Sequence, residues 1–281
     1  MRSVRPLCHL DMWITGTTAG HRAPVLRRPG EVGLQYEDMF FPSMDGVPID
    51  GWFIPADSDK LVIQNHFLPG NRYGYPGQLP EFGGLGGFEV NFLPEFRALH
   101  DAGYNILCQD IRNFGLSGTG NGDTVGIGLL EYRDVIGSVR HARSRPDTKD
   151  MTTVLLSVCL GADSTCVAMA RHPEEFEDIP SLILLQPVSG SYVIEEFVKA
   201  NDIPTLVAQV HHDSMTRPED VQSIYDAVPA DRGDAPALRR LQLLWRAPRS
   251  GDRAVRLAPR LTTTPRTRKA AASRRLPFRT P

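Results

Sequence analysis

The sequence predicts an α/β fold with a mainly parallel sheet. Three observations carry this. From residue 104 onward, short apolar runs alternate with segments of helical period. Two β-rich segments joined by turn residues precede them, as in an antiparallel hairpin. The chain has 281 residues, 41% of them hydrophobic, enough to cover both faces of one sheet.

Residues 1–34 are rich in Arg, Gly and Pro without a clear period and read as a loose, irregular arm. Residues 35–230 carry the periodic pattern. Tyr36 to Phe41 and Val47 to Ile54 are β-rich, and Ser43 to Gly46 supplies the turn between them. Leu61 to Asn65 is a short apolar run, read as a buried strand. Leu68 to Gly87 is rich in Gly and Pro. A loop of that length inside a domain is usually functional.

A helix is expected from Phe92, with Pro94 in its first turn and a stop at Gly103. Strands are then expected at Tyr104–Cys108, Thr152–Leu156, Leu182–Leu185 and Thr205–Val210. Helices are expected at Leu129–Arg143, Ala162–Arg171, Tyr192–Ala200 and Pro218–Ala227. The pattern implies helices on both faces of the sheet.

Residues 231–281 break the pattern. They hold 14 Lys and Arg against 3 Asp, leaving 17 basic and 30 acidic residues in the rest of the chain. The near-neutral total of −2 therefore hides an acidic body and a basic tail. The tail is mostly Arg, Pro, Ala and Thr, too poor in apolar residues to order itself. Thirteen arginines could attract nucleic acid or an anionic membrane. They are not interleaved with aromatic residues, so no specific nucleic-acid partner is expected. No run of 18 apolar residues exists, which excludes a spanning helix. No secretory leader is expected, and four scattered cysteines form neither a disulfide framework nor a zinc motif. A reducing, cytoplasmic setting follows, with neither metal nor cofactor.

The sharpest chemical motif is Ser157-x-Cys159-x-Gly161, where an apolar strand runs through small residues into a helix. Such an elbow strains its middle residue and projects that side chain above the sheet. Cys159 is the candidate nucleophile, and the next N–H, on Leu160, would face an oxyanion. The alternative is a buried structural cysteine. Two further motifs follow strands: Asp110-x-Arg112-x-x-Gly115-x-Ser117, and the turn at His66-Phe67-Leu68.

In this order and spacing, residues 35–229 resemble the α/β-hydrolase superfamily. Ser43-x-Asp45-Gly46 and Gly51 to Pro55 also resemble the opening strands of its esterase and dipeptidyl-peptidase-like branches. A cysteine nucleophile is similar to the dienelactone hydrolases. It is similar too to the branch of acyl-CoA thioesterases and bile-acid amino-acid N-acyltransferases. The resemblance implies a small ester, lactone or thioester substrate and a cysteine acyl-enzyme. It assigns Phe67 and Leu160 to the oxyanion hole, although the glycine usual after His66 is absent. It assigns Asp213, after the Thr205–Val210 strand, as the acid. A helix N-cap is the other role open to Asp213.

The triad order of that fold is nucleophile, acid, His. The histidines are His9, His21, His66, His100, His141, His172, His211 and His212, and none follows Asp213. A change of reading frame near residue 230 explains the missing His, the charge break and the lost periodicity together. On that account the end of the fold is missing and the triad is incomplete, which counts against turnover. A non-catalytic binding protein of the same fold is the alternative. The oligomeric state is not legible.

Overall fold

A computed structural model describes residues 19–85, 87–187, 203–208 and 218–228. The strands are β1 (Glu37–Pro42), β2 (Pro48–Ile54), β3 (Lys60–Asn65), β4 (Gly74–Pro76) and β5 (Glu89–Asn91). They continue with β6 (Asn105–Gln109), β7 (Thr152–Val158), β8 (Leu182–Leu185) and β9 (Thr205–Ala208). The helices are α1 (Leu93–Asp101), α2 (Tyr132–Ser144), α3 (Leu160–Arg171) and α4 (Pro218–Ala227).

Seven strands form one sheet in the order β1-β2-β6-β3-β7-β8-β9. The β1–β2 hairpin is antiparallel and joins β6 antiparallel; every pairing from β6 to β9 is parallel. This is the expected mainly parallel sheet with an antiparallel opening. Both faces are covered. On β6, Leu107 faces a cluster shared with Val135, Ile136 and Val139 of α2 and Ala162 and Val167 of α3. Its neighbours Ile106 and Cys108 face the opposite cluster, with Trp52 of β2 and Leu93 and Phe96 of α1. The two-residue period explains why a strand buried on both faces reads as an unbroken apolar run.

Two expectations change. The Leu68–Gly87 loop is not structureless: β4 pairs with β5, with Gly74 opposite Asn91. Arg72, inside it, is fully buried. The described part of the arm is irregular but held rather than loose. Arg22 Nη1 donates to the Ser117 carbonyl at 2.6 Å, and Asn71 Nδ2 donates to the Ala23 carbonyl at 3.0 Å. Arg27 forms a two-pronged pair with Glu89 of β5 at 2.6 and 2.8 Å. These contacts are remote in sequence, which is why local pattern could not reveal them. The expected 192–200 helix, the end of the 205–210 strand and residues 231–281 lie outside the described residues. No described helix is long and apolar enough to cross a membrane.

Candidate active site

The site is built at the carboxyl ends of β3 and β7. β7 is paired on both sides, with β3 and β8, and its last residues run straight into α3. Cys159 stands at the junction with φ 51° and ψ −114°. A non-glycine residue rarely adopts positive φ, because its Cβ crowds the backbone, so this is local strain. Cys159 is half-buried, whereas Cys108 and Cys166 are fully buried. Burial pushes the Cys108 thiol up to about 12 and raises that of Cys166 as well, so both remain protonated thiols. Cys159 sits at the N-terminus of a 12-residue helix, where partial positive charge favours an anion.

The small flanks expected at residues 157 and 161 have separate jobs. A Cβ on Gly161 would lie 2.5 Å from the Asn65 carbonyl oxygen and 2.7 Å from its carbon, so only glycine permits this approach of α3 to β3. The Gly161 N–H donates to the His66 carbonyl at 3.1 Å, tying the helix to the turn after β3. Ser157 Oγ lies 2.8 Å from Thr165 Oγ1 and accepts from Asn65 Nδ2 at 3.0 Å. Gln109 Nε2 donates to Asn65 Oδ1 at 2.6 Å, so a buried polar network underlies the elbow. Asn65, Gln109 and Thr165 were not singled out from sequence. The available signal was a polar residue ending each of two apolar strands.

The turn after β3 is fixed by His66. Its Nε2 accepts the Ile111 N–H at 2.9 Å, so its Nδ1 carries the proton and donates to the Phe67 carbonyl at 2.8 Å. Burial lowers the pKa of His66 and keeps the ring neutral. His66 is therefore a structural clamp and not a base. The Phe67 and Leu160 backbone N–H groups have no hydrogen-bond acceptor among the described residues. The bond from Gly161 to His66 brings the turn that carries Phe67 to the start of α3, where Leu160 directly follows Cys159.

The 110–117 motif is used differently. Asp110 accepts from the Arg72 N–H at 2.7 Å, from Arg72 Nη2 at 2.8 Å and from the Leu116 N–H at 2.7 Å. Arg72 also pairs with Asp50. Ser117 Oγ donates to the Asp110 carbonyl at 2.6 Å and accepts the Asp50 N–H at 2.9 Å. Arg112 spans Asp134 at 2.7 Å and Asp45 at 2.5 Å. Burial pushes the Asp134 carboxyl up to about 6 against the pull of Arg112. Burial acts the same way on Asp45, but Arg112 and Ser43 outweigh it and hold that carboxyl down to about 2. This motif is scaffold.

Each described histidine is engaged in a place of its own. His21 packs on Tyr75 and Phe82, His141 stacks on Phe41, and His172 stacks on Tyr132. His100 Nε2 lies 3.1 Å from the Pro55 carbonyl. Asp213, His211 and His212 lie outside the described residues. Among the described residues, no group of three or more His, Cys, Asp or Glu could hold a metal ion.

Strand order, antiparallel opening and elbow together define the fold as that of the α/β hydrolases. Solved structures agree. The chain is similar to an esterase of Pyrococcus furiosus, Pf2001, at 20% identity and TM-score 0.59, over 75% of this chain and 83% of that one. It is similar to the α/β hydrolase GrgF of a Penicillium species at 13% identity and TM-score 0.54, over 70% and 87%. An Exiguobacterium antarcticum esterase matches at 12% identity and TM-score 0.52, over 68% and 88%. No family model and no curated protein matches the sequence. The likeness is one of fold.

Proposed function

We propose that this chain is a hydrolase of a small-molecule ester, lactone or thioester, acting through an acyl thioester on Cys159. One observation carries the reading: a strained, half-buried cysteine at a strand-to-helix elbow, beside two N–H groups that no described residue engages. The Cys159 thiolate would attack the acyl carbon. Negative charge developing on the carbonyl oxygen would be taken up by the Phe67 and Leu160 N–H groups. Collapse would expel the alcohol or thiol with the electron pair of its bond to carbon, leaving the acyl thioester. Water would then release the acid.

Asp213 is the proposed acid, whose role would be to orient a histidine base. No described histidine fills that role, so acylation should outrun deacylation. Cys108 and Cys166 are buried thiols, which supports work in a reducing compartment such as the cytoplasm. The test is rapid mixing of the full chain with p-nitrophenyl acetate. The expected result is a nitrophenolate burst of one equivalent, with one acetyl group on the Cys159 peptide by mass spectrometry. Cys159→Ala should lose both. Acetyl groups on other residues, or none at all, would overturn the reading.

The engagement of all described histidines elsewhere favours one second reading, a binding protein of the same fold without turnover. Alkylation of Cys159 at the rate of an ordinary free thiol would support it.

A further inference from the structure

Ile127 lies in the turn before α2 with φ 48°, a left-handed conformation that a β-branched side chain strongly disfavours. Glycine flanks it on both sides, so the turn is not short of permissive residues. The surroundings over-determine the strain. The buried Glu131 carboxylate accepts the Gly126 N–H at 2.7 Å and the Gly128 N–H at 2.8 Å. Gly128, at φ 91°, lies so close to α3 that a Cβ there would meet the Asp163 carbonyl carbon at 2.8 Å. The turn is thereby held by Glu131 and packs directly against the helix that starts at the elbow. Strain held in this way points to a use for the side chain it presents.

The side chain has a definite neighbourhood. Ile127 packs against a small cluster of Ile111, Phe114, Val125 and Leu160. Leu68 packs against the same cluster from the other turn. Leu160 and Phe67 supply the two open N–H groups, and Leu68 directly follows Phe67. Four members of the cluster are buried, while Leu68 and Ile127 are half-buried, as is Cys159. Accessible apolar surface therefore flanks the proposed oxyanion hole.

We propose that Ile127 is a specificity-determining residue, the wall against which a short, apolar acyl group lies when its carbonyl oxygen meets the Phe67 and Leu160 N–H groups. This rests on the acyl-thioester reading above. A short acyl group fits because the strained turn is fixed at both ends and cannot swing away to admit a long chain.

The test compares first-turnover acylation of the full chain by p-nitrophenyl acetate and p-nitrophenyl octanoate. In each, the Cys159 sulfur forms a bond to the acyl carbon and nitrophenolate leaves with the electron pair. Rates are read from the burst, and adducts from the mass of the Cys159 peptide. Acetyl transfer should be the faster in the wild type. Ile127→Ala should shrink the acetyl-to-octanoyl ratio by about tenfold or more. Ile127→Gly suits the left-handed backbone, so it should keep the fold and shrink the ratio in the same way. A residue with only a structural role would shift Tm and both rates together and leave the ratio unchanged. That result, with adducts still forming on Cys159, would overturn this inference alone. Absence of any adduct in the wild type would overturn both this inference and the reading it rests on.

Discussion

The turns at 110–117 and 157–161 end the two strands that flank β3, yet they use polar groups in opposite ways. The first turns them inward. Asp110, Arg112 and Ser117 are buried, and each has two or more partners, at least one of them from a distant segment. The second holds a strained cysteine half-exposed and leaves the Leu160 N–H without a described acceptor. Both stand out as sequence motifs. The difference teaches that motif density alone does not locate chemistry. A turn whose polar groups are all satisfied is a strut, and a turn that leaves a donor open is the candidate for chemistry.

The comparison breaks most visibly at Arg112. Arg112→Ala leaves Asp134 buried with no cation, so a loss of about 3–5 kcal/mol in urea unfolding is expected. Arg112→Lys should recover only part of this, because one ammonium cannot reproduce a fork across Asp134 and Asp45. A loss below about 1 kcal/mol for the alanine variant would mean the buried pair is not the strut described here.

Gly161→Ala attacks the join between the two kinds of turn. Its Cβ would sit 2.5 Å from the Asn65 carbonyl oxygen, so α3 must move away from β3. The expected loss is about 1–3 kcal/mol. The burst with p-nitrophenyl acetate should also slow, because the Leu160 N–H moves with the helix. Unchanged stability together with an unchanged burst would show that the approach of α3 to β3 is dispensable.

His66 gives the comparison a pH axis. Its ring is buried and neutral in the fold, with its pKa held below the ordinary 6.5. The unfolded chain therefore binds the extra proton first as pH falls. The contribution is present above pH 6.5 and is lost below it, at up to about 1.4 kcal/mol per pH unit. Burial lowers His21 and His141 in the same direction, so part of the slope belongs to them. His66→Gln should flatten the fall in unfolding free energy below pH 6.5 without removing it. An identical slope in the variant would show that His66 does not titrate on unfolding.

The alternation of strands and helices and the elbow were legible because their signals are local. An apolar run, two small residues and a helical period fit within a dozen residues. The opening hairpin was legible for the same reason. Arg72 was not, because the carboxylate that neutralises it stands 38 residues away, on the far side of β5 and α1. Nor was the network under Cys159, where Gln109 and Asn65 are 44 residues apart. The strain at Ile127 is a backbone angle, and a β-branched residue between two glycines gives no sign of it. Asp213, the proposed acid, lies outside the described residues, so that part of the site stands on sequence resemblance.

The smallest effect is the sharpest. At an ordinary position, glycine is less stable than alanine by about 0.5–1 kcal/mol, because it loses more backbone freedom on folding. Position 159 should reverse that order. Alanine keeps the Cβ that makes φ 51° unfavourable, whereas glycine removes it and relieves strain of about 1–2 kcal/mol. Cys159→Gly should therefore be as stable as Cys159→Ala or more so, by up to about 1 kcal/mol in paired urea melts. Both variants should lack the acetyl adduct. A clear advantage for alanine would mean that the elbow is unstrained in solution, and the contrast between the two turns would rest on the open donor alone.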